Sequence, residues 1–251
     1  MEGMSKVFEQ TDRLGEVVVQ FPNAGRVFQR FGLDYCCRGN RNIEEAARQE
    51  GVDPMEVVAD LNAAYGLTKN EKQQVHNWNM ESLQALTDYV VNTHHAYLHQ
   101  TLTPLGELVT KILQVHGVHH GETLEQVHHL YNLFKMDMEE HLIKEEEVEF
   151  PAIVRYEEYP DQGLLARISK GVRELEVEHR EVGDLLREIR RVTHDYKLPE
   201  DACATFSYTY KKLQELEEDT FRHVHLENNV LFPRLEATVA QFTAEVEDVH
   251  P

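Results

Sequence analysis

Along most of this chain apolar residues recur at three- and four-residue intervals, the period of a helix with one buried face. Leu83, Leu86, Tyr89, Val90, Thr93, Tyr97 and Leu98 fall on one such face and predict a helix from Glu81 to about Val115. Val118 to Gly121 reads as a loop. A second helix is expected from Glu122 to Glu149, a third from Leu164 to Asp195, and a fourth from Glu200 to Leu231, after Leu198-Pro199. Nothing reads as a strand. Four long helices on short connections predict an all-α chain built on an antiparallel four-helix bundle.

A smaller helical unit precedes the bundle. Leu14 to Gln20 is short and apolar-rich and ends near Pro22. Ala24 to Phe31 follows, with Gly32 as its stop. Asp34-Tyr35-Cys36-Cys37-Arg38-Gly39 reads as a turn. Asn42 is placed to cap a helix reaching about Glu50, with Glu45 completing a capping box. Asp53-Pro54-Met55-Glu56 opens another, to about Tyr65, with Asp at the cap and Pro at the first position. So small a unit has little core of its own, and it is expected to lean on the rest or on a second copy, as in a homodimer. The expected division is 1–66 for this unit, 67–80 for a polar linker, 81–241 for the bundle and 242–251 for an acidic tail.

One stretch occurs twice. His141, Glu145, Phe150 and Pro151 recur as His223, Glu227, Phe232 and Pro233, each 82 residues on. Residues i and i+4 share a helix face, so each His and Glu can address one object. The proline after each phenylalanine signals a bend or an end of the regular helix. Upstream, His95 and His179 lie 84 residues apart in matching helical patterns. The motif alone is weak, but its repetition with Phe-Pro attached is specific.

Folded into a bundle, His95, His141, Glu145, His179, His223 and Glu227 face inward. Buried carboxylates and imidazoles are costly unless paired or bound to metal. Two dications satisfy them, each taking two imidazole nitrogens while both carboxylates bridge. Mixed nitrogen and oxygen ligation suits iron or manganese, although affinity order alone favours zinc. Positions left open imply reactivity toward a small ligand.

Composition narrows the rest. The 251 residues carry a formal charge of −20, which argues against nucleic acid or an anionic membrane as partner. No stretch is apolar for the length of a membrane span, and no signal-type apolar run opens the chain, so a cytoplasmic setting is expected. Of fifteen histidines, those without repeat symmetry (His94, His99, His119, His120, His128, His129, His194 and His225) read as surface or loop. Glu146 and Glu147 read as a solvated acidic face. His116 and Glu178 are candidates to hydrogen-bond a ligand, with a surface role as the equal alternative for His116; Glu178 and Asp137 are also candidates to line an access path. Cys36 and Cys37 either hold a soft metal or exchange redox equivalents, or are two small buried residues. Cys203 reads as core.

Taken together, these residues resemble a known family. The two His and His-x3-Glu halves look like the hemerythrin-like cation-binding bundle. Asp34-Tyr35-Cys36-Cys37-Arg38-Gly39 resembles the N-terminal domain of the iron-sulfur cluster repair di-iron proteins. Glu178 to Gly183, Asp201-Ala202-Cys203 and Leu226 to Arg234 match the same family. The resemblance implies a non-haem di-iron centre, oxo- or hydroxo-bridged, with four His ligands and Glu145 and Glu227 bridging. It implies Cys36 and Cys37 as redox or iron-transfer residues. It further implies a stress-response role in repairing clusters damaged by nitric oxide or oxidants, with iron-sulfur client proteins as partners. Reduction of nitric oxide or a nitrosothiol, sensing or storage of NO or O2, and a dinuclear zinc hydrolase are the alternatives. The loop carrying His119 and His120 is less family-like.

Overall fold

The computed structural model describes residues 8–68 and 76–237. They fall into two compact units: Ser82–His223, and the N-terminal part to Glu81 together with the chain from Val224 onward.

The unit Ser82–His223 is built from long helices. Its first arm is α5 (Leu83–Val90), a π-helical turn at Val91–His95, and the start of α6 (Ala96–Lys144). Ser82 Oγ caps α5 by accepting from the Ala85 N–H at 3.0 Å. The Glu157 carboxylate accepts two further first-turn N–H groups, from Leu83 at 2.6 Å and Gln84 at 3.0 Å. An anion at a helix N-terminus satisfies donors that have no partner within the helix.

The loop expected at Val118–Gly121 is tighter than that. Helical structure continues through it except at His120, where φ is −127° and ψ is 22°. This one break reverses the chain. His128 Nε2 returns to Thr110 Oγ1 at 3.2 Å, and Tyr131 donates to the Leu102 carbonyl at 2.6 Å. The second arm continues through a π-helical turn at Glu145–Glu149 into α7 (Phe150–Glu158). Pro151 therefore does not end the helix. The Phe150 N–H reaches back five residues to the Glu145 carbonyl, and the widened turn absorbs the donor that Pro151 lacks.

The third arm, α8 (Gln162–Val192), starts on an Asp161 cap and stops three residues before the expected end. His194, Asp195 and Tyr196 then adopt left-handed φ of 51°, 62° and 56°. The fourth arm, α9, starts at Ala204 rather than Glu200, and Cys203 before it is exposed rather than core.

The strained α8–α9 connection is held by Arg190. Its guanidinium binds the buried Glu217 carboxylate at 2.6 and 2.9 Å and also reaches Asp195. Tyr196 donates to Glu217 at 3.2 Å. Burial works against both charges: at Arg190 the pull of Glu217 prevails, while at Glu217 burial prevails and pushes the carboxyl up. Removing one member of the pair leaves the other's charge without its partner, which is what makes breaking it costly.

In the other unit α1 (Leu14–Gln20), α2 (Ala24–Arg30), α3 (Ile43–Gln49) and α4 (Pro54–Thr68) follow the expected signals. Asn42 and Glu45 form the reciprocal capping box, and Gly32 and Gly51 take the φ of +71° that closes α2 and α3. Tyr65 meets Phe8 and Phe21 edge-on at 5.4 and 5.3 Å, and Asn62 bonds both backbone groups of Phe8. The chain's own C-terminal segment packs with these helices. It contains a third π-helical turn, Glu227–Leu231, in which the Phe232 N–H again reaches five residues back, to Glu227. Helical structure continues past Pro233 to residue 237, so this proline too is passed rather than obeyed. Of the expected linker, residues 69–75 lie outside the described residues, as does the whole expected tail 242–251. Trp78–Met80 forms a single 3-10 turn. Among the described residues no strand forms and no helix is long and apolar enough to cross a membrane.

Arg190→Met should lower the unfolding free energy by about 3–5 kcal/mol, the cost of stranding one partner of a buried pair. Adding Glu217→Leu should recover most of that loss. Denaturant unfolding of the single and double variants checks both.

Candidate metal centre

Four imidazoles meet inside the bundle, one from each arm. His95 closes the first π-helical turn; His141 stands one turn before Glu145, which opens the second. His179 lies mid-way along α8, and His223 is near the end of α9. All four, and Glu145, are at most 2 % exposed.

The geometry divides them into two pairs. His95 and His223 bring their Nε2 atoms to 3.1 Å of each other, and these lie 3.2 and 3.6 Å from Glu145 Oε2. His141 and His179 bring theirs to 3.1 Å, and these lie 3.2 and 3.8 Å from Glu145 Oε1. One carboxylate thus faces a pair of imidazole nitrogens with each oxygen. Neither oxygen accepts a well-formed hydrogen bond.

The far side of the rings decides what those nitrogens carry. His95 Nδ1 is 2.9 Å from Glu146 Oε1, and His141 Nδ1 is 2.9 Å from Glu178 Oε2. A carboxylate only accepts, so in the neutral ring Nδ1 holds the proton and Nε2 presents its lone pair inward. At 3.1 Å the two facing Nε2 atoms of each pair either share one proton or flank a cation. Two nitrogens bound about 2.1 Å from one ion, at angles between a right angle and the tetrahedral, stand about 3.0–3.4 Å apart. Burial opposes a charge on His141, yet Glu145 and Glu178 raise its pKa. Burial likewise pushes Glu145 up, yet the imidazoles hold it well below the usual carboxylate range. The pocket demands positive charge, as protons on the imidazoles or as metal cations.

Second carboxylates are the part the repeat did not announce. Glu146, expected to be solvated, holds His95 and also reaches His99 Nε2 at 3.1 Å. His94, expected at the surface, is buried: Asp219 Oδ1 takes its Nδ1 at 3.0 Å, and its ring stacks on His223 at 5.9 Å. Each follows or precedes a ligand-bearing residue by one position, which was the available signal. Phe150 lies flat against His95 at 5.7 Å, which gives the Phe-Pro pair its use. His116 does not serve the centre. It meets Cys203 Sγ at 3.2 Å and the ring of Phe206, some four to five helical turns along α9 from His223.

In the other unit Glu227 is fully buried and stands one turn beyond His223 on the same run of helix. The residues around it hold the cysteine turn. Asn229 Nδ2 donates to the Cys36 carbonyl at 2.9 Å and Asn228 Nδ2 to the same carbonyl at 3.2 Å. Gly39 sits so close to Asn229 that any β-carbon there would collide with it. His225, expected at the surface, is buried beside Tyr35 at 5.8 Å.

This architecture has relatives. Residues 86–235 match the hemerythrin HHE cation binding domain, and residues 10–65 match a domain of unknown function, DUF542. The chain is 33% identical over 221 residues to the iron-sulfur cluster repair protein ScdA of Staphylococcus haemolyticus, covering 87% of this chain and 95% of that one. The chain belongs to this hemerythrin-like cluster repair family. The probable iron-sulfur cluster repair protein of Haemophilus influenzae is 30% identical, over 89% of this chain and 96% of its own. YtfE of Cronobacter sakazakii, named an iron-sulfur cluster repair protein, is 31% identical, over 88% and 94%. A buried set of four imidazoles around an unsatisfied carboxylate is compatible with the non-haem di-iron site of such a bundle.

His225 supplies a pH test. Burial lowers its pKa from 6.5 to about 4, against a bond to the Tyr35 backbone. As pH falls below 6.5 the unfolded chain takes up this proton first, so the fold loses stability down to about pH 4, by at most about 3 kcal/mol. Urea unfolding of the metal-free chain should therefore weaken across that window, and less steeply in His225→Gln.

Proposed function

We propose that this chain holds two iron ions and restores iron-sulfur clusters damaged by nitrosative or oxidative stress. His95 and His223 ligate one ion, and His141 and His179 the other. Glu145 would be shared between them, with Glu227 as the second carboxylate. The observation that carries the reading is the pairing of four Nε2 atoms across the two oxygens of one buried carboxylate. Glu227 is included because it is buried and follows His223 by the same helical turn that separates Glu145 from His141. The relatives' shared name supplies the repair role.

Once bound, such a pair supplies exchangeable, redox-active iron with room for a small ligand such as NO or O2. The protein's own work is positioning. Glu146 and Glu178 fix the Nδ1 protons of His95 and His141 and so keep Nε2 aimed inward. Phe150 covers one imidazole from solvent, and the His94–Asp219 pair backs another. Cys36 and Cys37 pass iron or redox equivalents toward client iron-sulfur proteins in the cytoplasm. Residues 1–66 serve as the cysteine-bearing domain.

His141→Ala and Glu227→Ala should each fall from about two irons per chain to one or fewer, whereas His128→Ala keeps both. Elemental analysis of the three variants checks this, and equal iron in all three would refute the ligand assignment. Iron-loaded protein mixed with a nitrosylated [4Fe–4S] enzyme should restore that enzyme's activity. Recovery no better than with the same amount of dissolved iron would contradict the repair role.

A further inference from the structure

The turn at residues 34–37 brings three ligand-bearing side chains together outside the bundle centre. Cys36 Sγ and Cys37 Sγ lie 3.6 Å apart, and Cys36 Sγ lies 3.4 Å from Asp34 Oδ1. The carboxylate, both sulfurs included, fits within a 4.8 Å span. Side chains of consecutive residues in extended backbone point to opposite faces. Here the bend turns both sulfurs to one side. The separation is far beyond the roughly 2.05 Å of a disulfide, and neighbouring cysteines are badly spaced for an unstrained one.

The distances match the edges of a tetrahedral ion site. At about 2.3 Å from a metal, two sulfurs at the tetrahedral angle stand about 3.8 Å apart. A sulfur and a carboxylate oxygen, the latter at 2.0–2.2 Å, stand about 3.5–3.7 Å apart. The turn already holds both edges within a few tenths of an ångström.

Its rigidity has identifiable sources. Asp34 Oδ1 accepts the Cys37 N–H at 2.9 Å, which locks the carboxylate over the turn. Asn228 and Asn229 hold the Cys36 carbonyl from behind. The Arg38 guanidinium stands 3.9 Å from Asp34 Oδ2, and Arg41 reaches the Asp34 carbonyl at 3.5 Å. Both guanidinium contacts are to Asp34 and help hold it over the turn. Cys36 is buried while Cys37 is half-exposed, so the site has a closed back and an open front.

We propose that Asp34, Cys36 and Cys37 form a second cation site, for a thiophilic divalent ion such as iron(II) or zinc(II), with its fourth position open to solvent or a client. Binding releases the two thiol protons to solvent and changes no oxidation state. Three protein ligands and one exchangeable position suit transfer rather than storage, because an incoming ligand can enter before another leaves. The asparagines that hold this turn directly follow Glu227, so the site adjoins the helical turn carrying that carboxylate. Only its use as a relay for iron rests on the function proposed above; ion binding by the turn does not.

Anaerobic titration of the full chain with cobalt(II) separates the two sites, because only thiolate ligands give the intense sulfur-to-cobalt charge-transfer absorption. The imidazole and carboxylate ligand groups of the bundle include no sulfur. The expected result is one equivalent of thiolate-bound cobalt. Cys36→Ser or Cys37→Ser should each reduce the band about twofold, as one of two sulfurs is lost, and the double variant should abolish it. Asp34→Asn keeps an acceptor for the Cys37 N–H, so the turn stays formed. It should weaken cobalt binding at least about tenfold, the lower end of what losing even an outer partner costs a metal site. Cys203→Ser and His141→Ala should leave the band intact, with helicity by circular dichroism confirming that each variant folds. Absence of the band, its survival in the double cysteine variant, or an unchanged affinity in Asp34→Asn would overturn the site. If the band appears as expected but the iron-loaded protein repairs no cluster, the repair reading falls and the cation site stands.

Discussion

The buried carboxylate of Glu145 sets the terms for the bundle unit. A fully desolvated carboxylate is among the most expensive groups a fold can contain, and four imidazole nitrogens converge on it at 3.2–3.8 Å. Positive charge must enter this pocket, as protons on the imidazoles or as metal cations. The outer carboxylates fix where the first proton sits. With Glu146 and Glu178 on the Nδ1 atoms of His95 and His141, the Nε2 atoms of these two rings face inward, open to a cation or to a second proton. Metal and acid therefore compete for one set of atoms.

Three of the helical runs depart from α geometry where they meet this chemistry. The π-helical turns at Val91–His95, Glu145–Glu149 and Glu227–Leu231 each begin or end on a residue proposed above as a ligand. A π turn inserts one extra residue and re-aims the side chains on either side of it. Two of the three are stabilised by the same device, a proline just past the turn that has no N–H to place. Phe-Pro is thus a marker of a widened helix at the site, and its phenylalanine shields an imidazole in at least one half.

Much of this was legible in the sequence, and the limits are instructive. His and Glu at i and i+4, repeated after 82 residues, marked the inner atoms because helical periodicity alone puts them on one face. The capping box at Asn42 and the glycine stops at Gly32 and Gly51 were equally local and equally readable. The misreadings share one cause: the assumption of an uninterrupted 3.6-residue period. Under it, Pro151 and Pro233 look like ends, and a full loop is expected where His120 alone breaks the helix. Symmetry also hid as much as it exposed. The residue after each Glu is Glu146 in one half, where it orients His95, and Asn228 in the other, where it holds Cys36. Position in a repeat singled out side chains that the fold buries, but the partners that orient them differ between halves and emerge only in three dimensions.

The central claim is that one carboxylate organises four imidazoles into two adjacent ion sites. X-ray absorption at the iron edge of the iron-loaded chain tests it most directly. The account predicts about two irons per chain, imidazole scattering around each, and an iron–iron vector shorter than about 4 Å. Full loading with no iron–iron vector, or irons surrounded by oxygen without imidazole, would contradict it.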